Sequence, residues 1–175
     1  MAETKFFKHF PTIEYTIGNV TKNVKDLTRT VVISPDFLES RFPFYDYIIR
    51  DGQRPDHVSY EQYGSTKYYW IILVINDIRD IWSEWPMSTR ELNKYISAKY
   101  GSIDEAQTIV HEYQNAETNE IIDEQEANEL GLSSGARVIS KYDYEMRENE
   151  NKRNIRLVQR RYLSRIREEL EERFE

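Results

Sequence analysis

The sequence predicts an α+β fold from three kinds of local signal. Short runs rich in aromatic and β-branched residues, FYDYIIR (44–50), TIVHEY (108–113), ARVIS (136–140) and NIRLVQRRYL (154–163), read as strands. Helix punctuation stands between them: Pro55 and Asp56 ahead of Gly64, and Ser88 three residues ahead of Glu91. The third signal is an unbroken apolar run of eight residues from Tyr68 to Ile75, long enough for a buried helix. No internal repeat or low-complexity segment appears.

Taken in order, residues 1–43 show no clean period. KFFKHFPTIEY mixes Phe6, Phe7 and Phe10 with lysine, histidine and proline, and NVTKNVKDLTRTVVIS alternates only weakly. This stretch is expected to be an extended arm without a core of its own, with PDFLESRF (35–42) as a helical turn started by Ser34-Pro35-Asp36. Residues 44–50 follow as a strand that stops at Asp51-Gly52. Pro55 suits a first helical position, Asp56 the positive end of the helix dipole, and Gly64 a helix stop, which gives a helix over 55–63. Ser65 or Thr66 caps a second helix through KYYWIILVIN, ended by Asn76-Asp77.

The capping box Ser88/Glu91 opens a helix that ends at Gly101, with Leu92, Tyr95, Ile96 and Tyr100 on its apolar face. Residues 108–123 read as a hairpin around a polar turn at 115–119, and EQEANELGL as a short helix stopped by Gly131. KYDYEMRENENKR is helical, and SRIREELEERF is a polar terminal helix. The expected divisions are 1–43 (arm), 44–101 (central module with its following helix) and 102–175 (a mixed C-terminal region).

Composition narrows the function. With 13 Tyr, 7 Phe and 3 Trp a packed core is within reach, while 31% charged residues leave a surface large relative to it. The lack of cysteine removes disulfides, thiolate metal sites and a cysteine nucleophile. The longest apolar run is less than half a membrane span, and MAETKFFKHFPTIEY lacks the apolar stretch of a signal peptide, so a soluble protein made in a cytoplasm is expected. His9, His57 and His111 are far apart and fit no ligand spacing. There is no phosphate-cradling glycine loop and no nucleophile motif, and carboxylate pairs such as Asp77/Asp80 read as solvated faces. No metal, cofactor or enzymatic activity is expected.

Charge is segregated. Residues 102–136 hold nine acids and no lysine or arginine, whereas residues 151–167 hold seven lysines and arginines and no acid. Such blocks pair within a chain or steer two chains together. The basic run has only Tyr162 for base stacking and the chain carries a net charge of -7, so nucleic acid is not an expected partner. Trp70 belongs to the core. Trp82 and Trp85 flank a loop, where they either pack onto the core or form an exposed recognition site. The candidate partner-binding residues are thus Phe6, Phe7, Phe10, Trp82, Trp85, Arg153, Arg156, Arg160 and Arg161.

The order strand, glycine-ended helix, second helix and asparagine-containing exit resembles the LysM module, a βααβ unit. PDHVSYEQYG is similar to its first helix and KYYWIILVIND to its second. The resemblance implies a module core of Tyr47, Ile49, Val58, Tyr63, Gly64, Trp70, Leu73, Val74 and Asn76, with the closing strand squeezed into about residues 80–85. RPDHVSYEQYGSTKYYWIILVINDI further resembles the LysM-like region of baseplate wedge proteins of T-even-type contractile-tailed bacteriophages. FPTIEY near the N-terminus and YDYEMRENENKRNIRLVQRRYL are similar to other stretches of that family. This resemblance implies a structural virion protein of the tail baseplate that links or clamps wedge and hub subunits. The alternative is a peptidoglycan-binding LysM module that takes an N-acetylglucosamine polymer on residues 51–54 and 76–80.

Overall fold

The computed structural model describes residues 10–26, 43–132 and 134–174; the helical turn expected at 35–42, and Phe6 and Phe7, lie outside them. The chain divides into two compact units. One is built from the strand before Ile49, residues 53–85 and residues from Asn154 onward; the other comprises residues 50–52 and 86–153.

The arm contains a hairpin. Strands β1 (Thr12–Ile17) and β2 (Val20–Lys25) pair antiparallel, with Ile13 opposite Val24 and Ile17 opposite Val20. The two-residue turn places Gly18 at φ 61, a conformation glycine adopts without cost. Phe10, just before β1, is buried, and its carbonyl accepts from Lys25 Nζ.

The core of the first unit starts with β3 (Phe44–Ile48) and the helices α1 (Pro55–Tyr63) and α2 (Tyr69–Ile75). Helix α1 has proline in its first position and ends where Gly64, at φ 74, donates its N–H to the Tyr60 carbonyl at 2.8 Å. Buried Ser59 donates to the Ser65 carbonyl at 2.6 Å and so ties the helix to the turn that follows. Ser65 caps a single 3-10 turn (Thr66–Tyr68) that feeds α2. Because α2 is apolar on every face it must be surrounded: Trp70, Ile71, Ile72 and Ile75 are buried, and Leu73 and Val74 pack partly buried against the same core. Each fully buried Ile contributes about 1.5–3 kcal/mol.

The closing strand does not lie at residues 80–85. Those residues form a short helix, α3 (Ile81–Glu84), and the partner of β3 is β7 (Asn154–Val158), antiparallel, with Tyr47 opposite Ile155 and Tyr45 opposite Leu157. Asp80 and Glu84 explain why a strand fails there, since together they satisfy the free N–H groups of a helix start. The module therefore keeps the order strand, helix, helix, strand, but residues 86–153 leave it and return before it closes. After β7 the chain makes a 3-10 turn at Arg160–Tyr162, where a continued strand was expected, and then forms α8 (Leu163–Phe174). Ile155, Leu157, Val158, Leu163 and Ile166 complete the core around Ile49, Val58, Tyr63 and Trp70.

The second unit opens with α4 (Thr89–Tyr100), started by the expected capping box of Ser88 and Glu91. Then come α5 (Ile103–Thr108), β4 (Val110–Asn115), β5 (Ile121–Ile122), α6 (Glu124–Leu130), β6 (Ala136–Ser140) and α7 (Lys141–Asn151). The strands form a sheet in the order β5-β4-β6, all antiparallel. The polar turn between β4 and β5 is organised by Asn115, whose Oδ1 accepts from the N–H groups of Glu117 and Thr118. A second capping box, Ser140 with Asp143, starts α7. Helices α4, α5 and α7 share a small core of Leu92, Ile96 and Ala106, with Met87, Tyr100, Tyr142 and Met146 at its edge.

Polar anchors hold both ends of this second unit. Asp51 Oδ1 accepts from Thr89 N at 2.8 Å and from Arg153 Nη2 at 3.0 Å, so one carboxylate fastens residues near the start and the end of the segment. Buried Asn149 pairs with the backbone of Met87, accepting its N–H at 2.7 Å and donating to its carbonyl at 3.1 Å. Residues 101 and 102 lie within this second unit, where α4 and α7 share one small core.

Candidate functional site

The residues singled out for partner binding separate into those consumed by the fold and those left on its surface. Trp85 is buried, and its Nε1 donates to the Gln53 carbonyl at 2.8 Å, so it is a core residue and not a docking side chain. Phe10 is buried as well. Arg153 is only 11% exposed and pairs with Glu150 at 2.8 Å and Asp51 at 3.0 Å. The Arg156 guanidinium lies over the Phe44 ring at 5.6 Å. Both arginines are engaged within the chain, and Arg156 is half-buried.

Trp82 is 88% exposed, three positions before the buried Trp85. Its surroundings are firmly built. Asn76 ends α2 by donating to the Ile72 carbonyl at 2.8 Å, and its amide also binds the Arg156 backbone. Asp77 takes a left-handed φ of 51 and receives Arg79 through Nε at 3.1 Å and Nη2 at 3.2 Å. Asp80 then caps α3, accepting from Ser83 Oγ at 2.6 Å and Trp82 N at 3.0 Å, and these two bonds hold its carboxyl below the usual range. Glu84 reaches back to the Asp80 N–H at 2.9 Å. A large indole is thus held out from a short, doubly capped helix beside Ile81, which is 40% exposed.

Arg160 and Arg161 are exposed and form no ion pair among the described residues. The Arg160 guanidinium covers Gly64 so closely that a Cβ there would lie 3.4 Å from its Nη2. This puts a cation at the carbonyl end of α1, where the helix dipole favours it. Arg161 lies over its neighbour Tyr162 at 4.9 Å.

The hairpin face was not singled out from the sequence. Ile13, Tyr15, Ile17, Val20 and Val24 alternate onto one side of β1–β2 and are 37–70% exposed. The period-two pattern in TIEYTI was the available signal, hidden by the lysines and threonines that interrupt it on the return strand.

The loops that a glycan would need are internally occupied. Asp51 binds Thr89 and Arg153; Gln53 accepts from Tyr47 OH at 3.0 Å and donates to Glu61 at 3.0 Å; Asn76 is spent on Ile72 and Arg156. No described helix is long and apolar enough to cross a membrane.

Comparison with known proteins gives these surfaces a setting. The chain is similar to the baseplate wedge protein gp53 of Enterobacteria phage T4, with 27% identity over 116 residues, 63% of this chain. It spans 59% of the length of that curated relative. A family model described as base plate wedge protein 53 matches residues 2–130, which takes in β1 to β3, the two helices of the module and most of the second unit before β6. With nearly three quarters of its length matched, the chain belongs to the base plate wedge protein 53 family.

Proposed function

We propose that this protein is a structural component of a phage tail baseplate wedge, in the virion, that links or clamps neighbouring wedge and hub subunits during assembly. The family match is the observation that supports the reading best. It agrees with a chain whose prominent surfaces are recognition surfaces: an exposed Trp82 on a capped helix, an arginine pair, and an apolar hairpin face. The protein acts by contact and performs no chemistry, and its strand–helix–helix–strand core serves as a LysM-like scaffold that presents these surfaces. Segregated charge suits this role, because it steers encounter and excludes wrong partners more than it adds affinity.

The test is affinity capture of the tagged full chain from phage-infected lysate, read by native mass spectrometry. Complexes of fixed ratio with other tail proteins are the expected result. Recovery of the chain alone, while its circular dichroism shows it folded, would overturn the assembly role.

A further inference from the structure

Trp82 and the pair Arg160–Arg161 mark opposite ends of one helix. Helix α2 begins just after Gly64, which the Arg160 guanidinium covers, and ends at Asn76, which opens the segment carrying Trp82. Strand β7 runs the other way alongside it: Arg156 meets Asn76 at one end, and the chain reaches Arg160 at the other. Within the same unit, therefore, one end presents an indole and the other presents guanidinium groups.

The two ends are also complementary in charge. From Asp77 to Glu84 there are three acids and one arginine, and that arginine is already paired with Asp77. Asp80 and Glu84 flank the exposed indole. The opposite end holds Arg160 and Arg161, with exposed Lys67 in the turn just before α2. Guanidinium on an indole face, beside carboxylates that complete its hydrogen bonding, is a favourable contact that is stronger when desolvated. Because the donor and acceptor surfaces are different patches of one chain, their association is heterologous and leaves each copy one free end.

We propose that copies of this chain associate head to tail, the Trp82 end of one seated on the Arg160–Arg161 end of the next. The inference rests on the assembly role above and names one of its contacts as a second copy of the same protein. The contact is small and charged, so it forms at high protein concentration and low salt and weakens as ionic strength rises.

The test uses three full-length variants in sedimentation velocity at low salt. Wild type is expected to form species that grow with concentration beyond the dimer. Trp82→Ala and the double variant Arg160→Glu/Arg161→Glu are each expected to remain monomeric, with association weakened at least tenfold. Mixed in equal amounts they should form a dimer and nothing larger, because each supplies the end the other lacks. Arg161→Glu alone, which leaves the cover over Gly64 intact, controls for any folding defect in the double variant. A wild type that stays monomeric, or a mixture that stays monomeric while wild type associates, would overturn head-to-tail contact. So would Trp82→Ala that self-associates normally but loses a different tail protein in affinity capture. In that case the assembly role would stand and the partner at Trp82 would be another subunit.

Discussion

Asn76 grips the backbone of Arg156, 80 positions away in sequence, with both atoms of its amide: Nδ2 donates to the Arg156 carbonyl at 2.9 Å and Oδ1 accepts its N–H at 2.8 Å. The side chain thus occupies the place of a neighbouring strand on the edge of β7 that faces away from β3. Asn76→Ala is expected to cost about 1–3 kcal/mol, since it leaves partly buried backbone groups unpaired. Asn76→Asp should fare no better, because its second oxygen would face the carbonyls of Ile72 and Arg156. Urea unfolding of the variants measures this; a loss below about 0.5 kcal/mol would mean water replaces the amide.

Trp70 sits inside the core formed by α1, α2, β7 and α8, where it is 4% exposed. Trp70→Ala should lower stability by about 3–5 kcal/mol, the range for large aromatic truncations. Thermal unfolding of the full chain is the measurement, and a near-neutral result would place the indole outside the core.

The buried carboxylate Glu145 accepts from Lys99 Nζ and Tyr100 OH, both at 2.7 Å. Burial raises its pKa, but the bonds from Lys99 and Tyr100 outweigh it, so the group titrates below its ordinary value. A depressed carboxyl contributes stability above its unfolded value, about 4.3, and loses it as pH falls through the folded value. Lys99 is shifted the other way, chiefly by Glu145, and its contribution is lost only at strongly alkaline pH. Glu145→Gln is therefore expected to be less stable by about 1–2 kcal/mol at pH 7, a figure reduced because Lys99 is 44% exposed. The difference should begin to narrow as pH falls below about 4.3 and go on narrowing as the folded carboxylate takes up its proton. Parallel denaturation curves from pH 7 to pH 3 would show it, and a constant gap would refute the linkage.

The Tyr63 hydroxyl is buried beside the Val158 backbone, and burial pushes its pKa well up. Tyr63→Phe relieves the burial of a polar atom but gives up its contact with the Val158 backbone, so stability should change by less than about 1 kcal/mol. A substantial loss would mean that the contact with Val158 outweighs the cost of burying the hydroxyl.

The sequence made local punctuation legible and left distant pairing hidden. Pro55, Gly64, Ser88 with Glu91, and Gly131 each act within one or two helical turns, and the helices they bound appear where those residues stand. The partner of β3 was beyond reach of the same reasoning, since nothing in FYDYI says whether its neighbour follows after thirty residues or after a hundred. Helix α3 was missed because its caps, Asp80 and Glu84, look like loop acids until the backbone joins them. Trp82 and Trp85 show the limit for candidate sites. Both are tryptophans in one short segment, and only the direction of the chain after α3 buries one and exposes the other.

The pairing of β3 with β7 also has a consequence during biosynthesis. The ribosome finishes β3 at Ile48 but must add the whole of residues 86–153 before β7 exists. At about 5–20 residues per second that interval is on the order of ten seconds. The strand edge of β3 is unpaired throughout it, while α1 and α2 already have their sequence complete. The second unit can fold on the nascent chain before the first one closes, so β3 is locked only after the segment that separates it from β7 has been made. A translation product that stops before β7 would therefore carry an open module, and only a chain that includes it would offer a closed one to its assembly.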